Sequence, residues 1–106
     1  MIIAFGSTEI RDLCEDPSAA DAYLGTETAE VFRARLADVR AAVTVEDLPV
    51  GNPTTGGEAG RELRIRVGRD TLVVLKANHR RLPLGKNGRV DWERVSYVQV
   101  IGVERA

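Results

Sequence analysis

Arg61-Glu62-Leu63-Arg64-Ile65-Arg66-Val67-Gly68-Arg69-Asp70-Thr71-Leu72-Val73-Val74-Leu75-Lys76-Ala77 is the stretch that decides the fold of this chain. From Arg61 to Val67, apolar Leu63, Ile65 and Val67 alternate with charged Glu62, Arg64 and Arg66. A period of two puts one set on each side of a strand, so the segment reads as half-buried. Gly68-Arg69-Asp70 offers a tight turn, and Thr71 to Ala77 continues as a nearly unbroken apolar strand. Two strands joined this closely form an antiparallel hairpin.

Downstream of the hairpin, His79 to Arg94 reads as a loop with a turn at Gly85-Lys86-Asn87-Gly88. Val95 to Val103 is the last strand, its alternation placing Tyr97, Gln99, Ile101 and Val103 on one face. Upstream, Gly51 to Gly60 is rich in Gly, Thr, Asn and Pro and reads as a long, mobile loop. Thr44 to Leu48 allows one more helical turn, stopped by Pro49. Between Glu27 and Val43, the apolar Phe32, Leu36, Val39 and Val43 are spaced four, three and four apart, which predicts a long helix with one apolar stripe. Glu27 and Glu30 at its start and Arg40 at its end suit the helix dipole. Asp16-Pro17 looks like a cap with proline at the first helical position, Gly25 closes that helical region, and Thr26 caps the next. Met1 to Phe5 is an apolar strand ended by Gly6, and Ser7 or Thr8 offers a cap to the first helix. The order strand, helix, helix, three strands predicts a single α+β domain over 1–106. A helical hairpin then covers one face of a small antiparallel sheet.

The chain has 106 residues, 43% hydrophobic and 29% charged, which suits one domain with a real core. Its Val, Leu and Ile content argues against disorder. The longest apolar runs, such as Leu72 to Leu75, fall far short of the ~20 residues of a membrane span. No basic start followed by a long apolar stretch suggests a secretory leader. A single cysteine, Cys14, excludes an internal disulfide framework and most thiolate zinc sites. The expectation is a cytoplasmic protein with no membrane partner.

The net charge of −1 hides an asymmetry. Residues 1–53 carry ten acids against four bases, a balance of −6, and residues 54–106 carry six against eleven, a balance of +5. If the halves form different faces, one side seeks anions. Arg61, Arg64, Arg66 and Arg69 crowd one strand and its turn, and alternation points Arg64 and Arg66 away from the core. Arginine holds phosphate with two parallel hydrogen bonds and keeps its charge. Such a row suits an RNA backbone; equally, it suits a sheet face kept from aggregating by charge. His79-Arg80-Arg81 comes directly after the next strand, with Lys86, Arg89 and Arg94 in the loop beyond. His79 is the only histidine, either an acid–base group beside phosphate-binding arginines or an exposed loop residue. Trp92 either stacks on a base or anchors its loop to the core. Cys14, between apolar neighbours, reads as core.

Several chemistries lack their residues. Gly85-Lys86 has neither the upstream glycine nor the hydroxyl residue of a phosphate-binding loop. No HExxH occurs, and Ser7, Ser18 and Ser96 lack a triad context.

Three patches carry a family resemblance. Met1-Ile2-Ile3-Ala4-Phe5 with Ile10-Arg11-Asp12-Leu13-Cys14 resembles the start of RelE/HigB-type toxins of bacterial toxin–antitoxin pairs, in the plasmid-maintenance killer branch. Arg35 to Ala42 followed by Val45-Glu46-Asp47-Leu48-Pro49 is similar to that branch's second helix and turn. Val90-Asp91-Trp92-Glu93-Arg94-Val95, leading into the strand from Tyr97, is the third patch. The resemblance implies the toxin of a type II toxin–antitoxin system, with the RelE-like fold. It implies ribosome-dependent cleavage of mRNA with no metal or other cofactor, a 2′-hydroxyl attacking the adjacent phosphate. The implied partners are a cognate antitoxin of helix-turn-helix type, the ribosome and its mRNA, with operator DNA reached only through the antitoxin.

On this reading Arg64 and Arg66 stabilise charge, and His79 or Arg81 assists proton transfer. Arg61, Arg69, Lys76, Arg80 and Lys86 complete an RNA-binding set. The final Glu104-Arg105-Ala106 lacks the tyrosine and histidine of relatives, which leaves two alternatives open. One is a non-nuclease toxin of the same fold, like the ParE relatives that poison gyrase. The other is a degenerate module that keeps only its antitoxin interface.

Overall fold

The computed structural model describes residues 1–105. Strand β1 (Ile2–Phe5) leads into helices α1 (Thr8–Glu15), α2 (Pro17–Leu24) and α3 (Thr26–Ala41). A 3-10 turn over Val45–Asp47 precedes β2 (Thr54–Gly56), and the second half continues with β3 (Glu62–Val67), β4 (Thr71–Ala77) and β5 (Tyr97–Arg105). The strands form one sheet in the order β1-β5-β4-β3-β2. Only β1 runs parallel to its neighbour; the other pairs are antiparallel. The sheet is therefore mixed, where the sequence predicts a purely antiparallel one. The architecture is α+β, with three helices and a five-stranded sheet.

Local chemistry explains the helix starts. The Ser7 hydroxyl accepts the Ile10 amide at 3.2 Å, and the Asp16 carboxylate accepts the Ser18 amide at 3.0 Å ahead of Pro17. Each supplies a partner to an amide that the first turn leaves unpaired. Asp16 also ends α1, so the cap expected at Asp16-Pro17 opens a helix of its own, and three helices stand where the expected element order has two. Gly25, at φ +83°, is the residue before α3, and Thr26 is its first helical residue, not its cap. The α3 stripe buries Phe32, Leu36 and Val39. Val43, expected on that stripe, lies beyond the helix end and is 75% exposed. The amino group of Met1 hydrogen-bonds the Val39, Arg40 and Ala42 carbonyls at the α3 C-terminus, where the helix dipole favours a cation.

The core lies between the helices and one sheet face. Leu63, Ile65 and Val67 of β3, Val73 and Leu75 of β4, and Val98 and Val100 of β5 point into it. Burying each of these side chains contributes about 1.5–3 kcal/mol.

Two strand expectations are corrected. The segment from Gly51 to Gly60 is not simply loop: Thr54–Gly56 pairs antiparallel with β3, as edge strand β2. The Gly51 carbonyl accepts the Arg66 amide at 2.8 Å, so the segment is tied to β3 before the strand begins. On β5, the register steps from Leu75 opposite Val100 to Val74 opposite Gly102, which leaves Ile101 as an extra residue. This bulge turns Val103 to the core side, opposite Val73. Tyr97, Gln99 and Ile101 keep the other face, and Val103 does not join them. Among the described residues no helix is long and apolar enough to cross a membrane.

Candidate nucleic-acid interface

The helices cover one sheet face and leave the other open. All three helices and β1 come from the acidic first half of the chain, and β2–β5 from the basic second half. Charge is therefore separated by layer, the arrangement under which one side attracts anions.

The open face is laid out by the strand register. Glu62, Lys76 and Gln99 form one row, Arg64, Val74 and Gly102 the next, and Arg66, Leu72 and Glu104 a third. Arg64 and Arg66 do share this face, as alternation requires. Arg64 is not free on it. Its Nε donates to Glu104 at 2.7 Å and one terminal nitrogen donates to Glu62 at 2.8 Å. These two hydrogen bonds, that of Glu104 first, hold the guanidinium in its charged form more firmly than usual. Two of its five N–H donors are spent on carboxylates, and their charges offset its own. Arg66 donates to the Arg69 carbonyl at 2.8 Å, which folds the side chain back over the Gly68 turn.

The nine residues singled out from the sequence are not gathered at one point. Arg66 and Arg69 lie at the turn end of the hairpin. Arg61, Lys76, His79, Arg80 and Arg81 lie at the opposite end, where the Ala77 amide donates to the Arg61 carbonyl at 3.0 Å. Five residues of strand separate Arg61 from Arg66, about 16 Å. Lys86 stands apart in the turn after β4, beside Arg89. Among the described residues Arg61, Lys76, Arg80, Arg81 and Lys86 make no ion pair.

His79 has a definite job. Its Nε2 accepts the Ser96 amide at 2.9 Å and the Tyr97 amide at 3.3 Å. A ring nitrogen that accepts is unprotonated, so in this arrangement the proton sits on Nδ1. The Nε2 lone pair is spent on joining the end of β4 to the start of β5. It can serve as a base only after these amides let go. The ring also meets Tyr97 edge-on, with centroids 5.1 Å apart and planes at 89°.

Trp92 is the anchor of its loop: it is buried and its indole N–H donates to the Gly60 carbonyl at 2.7 Å. Cys14 packs against the core, and burial pushes its thiol up to about 11, which leaves little thiolate for nucleophilic or redox chemistry. Among the described residues no three His, Cys, Asp or Glu side chains are grouped so as to hold a metal ion.

Two residues that shape this face escape sequence reasoning. Glu104 neutralises Arg64 from a strand 40 positions away, and no local pattern announces that register. Tyr97 reads from the sequence as a strand-face residue without a role; the signal available is an aromatic at a strand start in a chain with few aromatics. No protein-family model, curated protein or solved structure matches this chain.

Proposed function

We propose that this chain is the toxin of a type II toxin–antitoxin system, with a RelE/HigB-like fold, and that it cuts mRNA on the ribosome. The observation that carries this reading is the set of unpaired cations Arg61, Lys76, Arg80 and Arg81 at one end of an open sheet face. An α+β arrangement that opens with a strand and helices and ends in a largely antiparallel sheet supports this reading at the level of fold class. In the proposed reaction the RNA 2′-oxygen attacks the adjacent phosphorus and the bond to the 5′-oxygen breaks. A 2′,3′-cyclic phosphate and a 5′-hydroxyl result, the 2′-proton being lost and the leaving oxygen gaining one. The protein binds the strand, holds the 2′-oxygen in line and neutralises charge on the phosphoryl oxygens. Arg80 and Arg81 take the phosphate role, since Arg64 is already engaged. The cognate antitoxin and the ribosome are the partners, and the cytoplasm is the compartment.

The neutralisation of Arg64 favours a second reading, a toxin of the same fold that poisons gyrase, or a module that only binds antitoxin. Induced expression in a bacterial host, with mRNA ends mapped by primer extension, separates these. New cuts inside translated codons that vanish when translation is blocked are expected, and are lost in an Arg80→Ala/Arg81→Ala variant. Arrest without cuts selects the gyrase reading, and absence of arrest selects the binding module.

A further inference from the structure

The open face carries a second chemical feature next to its cations. Tyr97 and its register partner on β1, Ile2, are 45% and 61% exposed, and Ile101 on the same face is 36% exposed. Tyr97 is not a loose surface ring. His79 meets it edge-on, and His79 is in turn fixed by the Ser96 and Tyr97 amides. The tyrosine carbonyl also accepts the Asn78 amide at 2.8 Å. Asn78, His79, Arg80, Arg81 and Tyr97 line one shallow cavity of about 390 Å³. Among the described residues neither arginine is paired with a carboxylate.

We infer that Tyr97 is a stacking platform for one base of a single-stranded RNA, with Arg80 and Arg81 holding the phosphates beside that base. This rests on the proposal that RNA is the substrate, and it names the residue that seats the strand. Single-stranded nucleic acid is bound where an aromatic ring lies along a cationic track, because every base has a π-face and every linkage a charge. A ring fixed before binding loses little conformational freedom on stacking. Two arginines without acidic partners choose an anionic chain over a neutral apolar surface. The Asn78 amide side chain supplies both a donor and an acceptor for a base edge.

The test uses the full chain and a five-nucleotide RNA carrying 2-aminopurine, whose fluorescence falls when it stacks. Titration with the wild-type protein should quench it. Tyr97→Phe should keep the quench, and Tyr97→Leu should lose it and weaken binding by roughly 5- to 100-fold, with an unchanged melting curve. Quenching that survives Tyr97→Leu, or no quenching by the wild type, overturns the inference. So does an acidic peptide that binds the Tyr97 surface while the RNA does not, because the surface then serves a protein. Translation-dependent cuts that persist in Tyr97→Leu with its quench intact sink the platform and leave the nuclease standing. Tyrosine-dependent quenching without arrest or cuts does the reverse.

Discussion

Arg64 on β3 reaches across β4 to Glu104 on β5, Nε to carboxylate oxygen at 2.7 Å, with Gly102 rather than a side chain in its own row on β5. The two strands are about 10 Å apart, two strand spacings, so only a long side chain on one of them can close the gap. The pair converts what the alternation presents as a free cation into an internal one. Removing Glu104 should therefore return a positive charge to the face. In Glu104→Gln, and more in Glu62→Gln/Glu104→Gln, affinity for single-stranded RNA should rise. The slope of log affinity against log salt should steepen by about 0.7, one additional phosphate contact. Filter binding across a salt series measures both. Arg64→Ala should change stability by no more than about 1 kcal/mol, as for other exposed pairs.

Trp92 holds its loop to Gly60 through one buried hydrogen bond. Trp92→Phe keeps most of the apolar contact and removes the donor, leaving the Gly60 carbonyl without it. The expected loss is about 1–3 kcal/mol, the cost of an unmade buried hydrogen bond. Urea unfolding followed by circular dichroism checks it, since the substitution removes the only tryptophan.

Gly51 sits at φ +105°, and a Cβ there would lie 2.6 Å from Ile65 Cγ2. Its carbonyl also holds the Arg66 amide. Gly51→Ala should destabilise the protein by more than about 1 kcal/mol, through a left-handed backbone that alanine resists and a clash with a core residue. Gly88, at φ +76° with nothing within 4 Å, provides the control. Gly88→Ala meets the backbone penalty alone and should cost less. Paired urea titrations of the two variants give the comparison.

The Glu93 carboxyl is raised above the usual range, first by its interaction with the Glu46 carboxyl and then by the charges of Glu46 and Asp91. The folded chain therefore binds this proton more tightly than the unfolded chain. The stabilisation is complete below the unfolded value and is lost as pH rises through the raised folded one. At neutral pH the two carboxylates repel. Glu93→Gln should raise the melting temperature at pH 7 and give no gain at pH 4. Thermal scans at the two pH values decide it.

How far the sequence can be read depends on the range of the interaction. The hairpin from Glu62 to Ala77 is legible because alternation and a glycine turn act within a few residues. The Ser7 and Asp16 caps, and the buried Phe32, Leu36 and Val39 stripe, are legible for the same reason. Strand β2 is not: Thr54-Thr55-Gly56 has no strand pattern of its own and is extended only because the edge of β3 offers hydrogen bonds. Nor is the bulge at Ile101, since both spacings of β5 satisfy alternation until β4 fixes the register.

The same division holds for the candidate site. Composition and spacing alone determined that the second half is basic, that Arg64 and Arg66 share a face, and that His79-Arg80-Arg81 comes after a strand. Only the tertiary structure decided that Arg64 is neutralised, that the Nε2 of His79 is engaged with two amides, and that Tyr97 stands exposed beside Arg80 and Arg81. Side-chain type and local periodicity are written into neighbouring residues. Which charge finds which partner depends on strands brought together from 17 to 40 positions apart, and that is set by packing of the whole sheet.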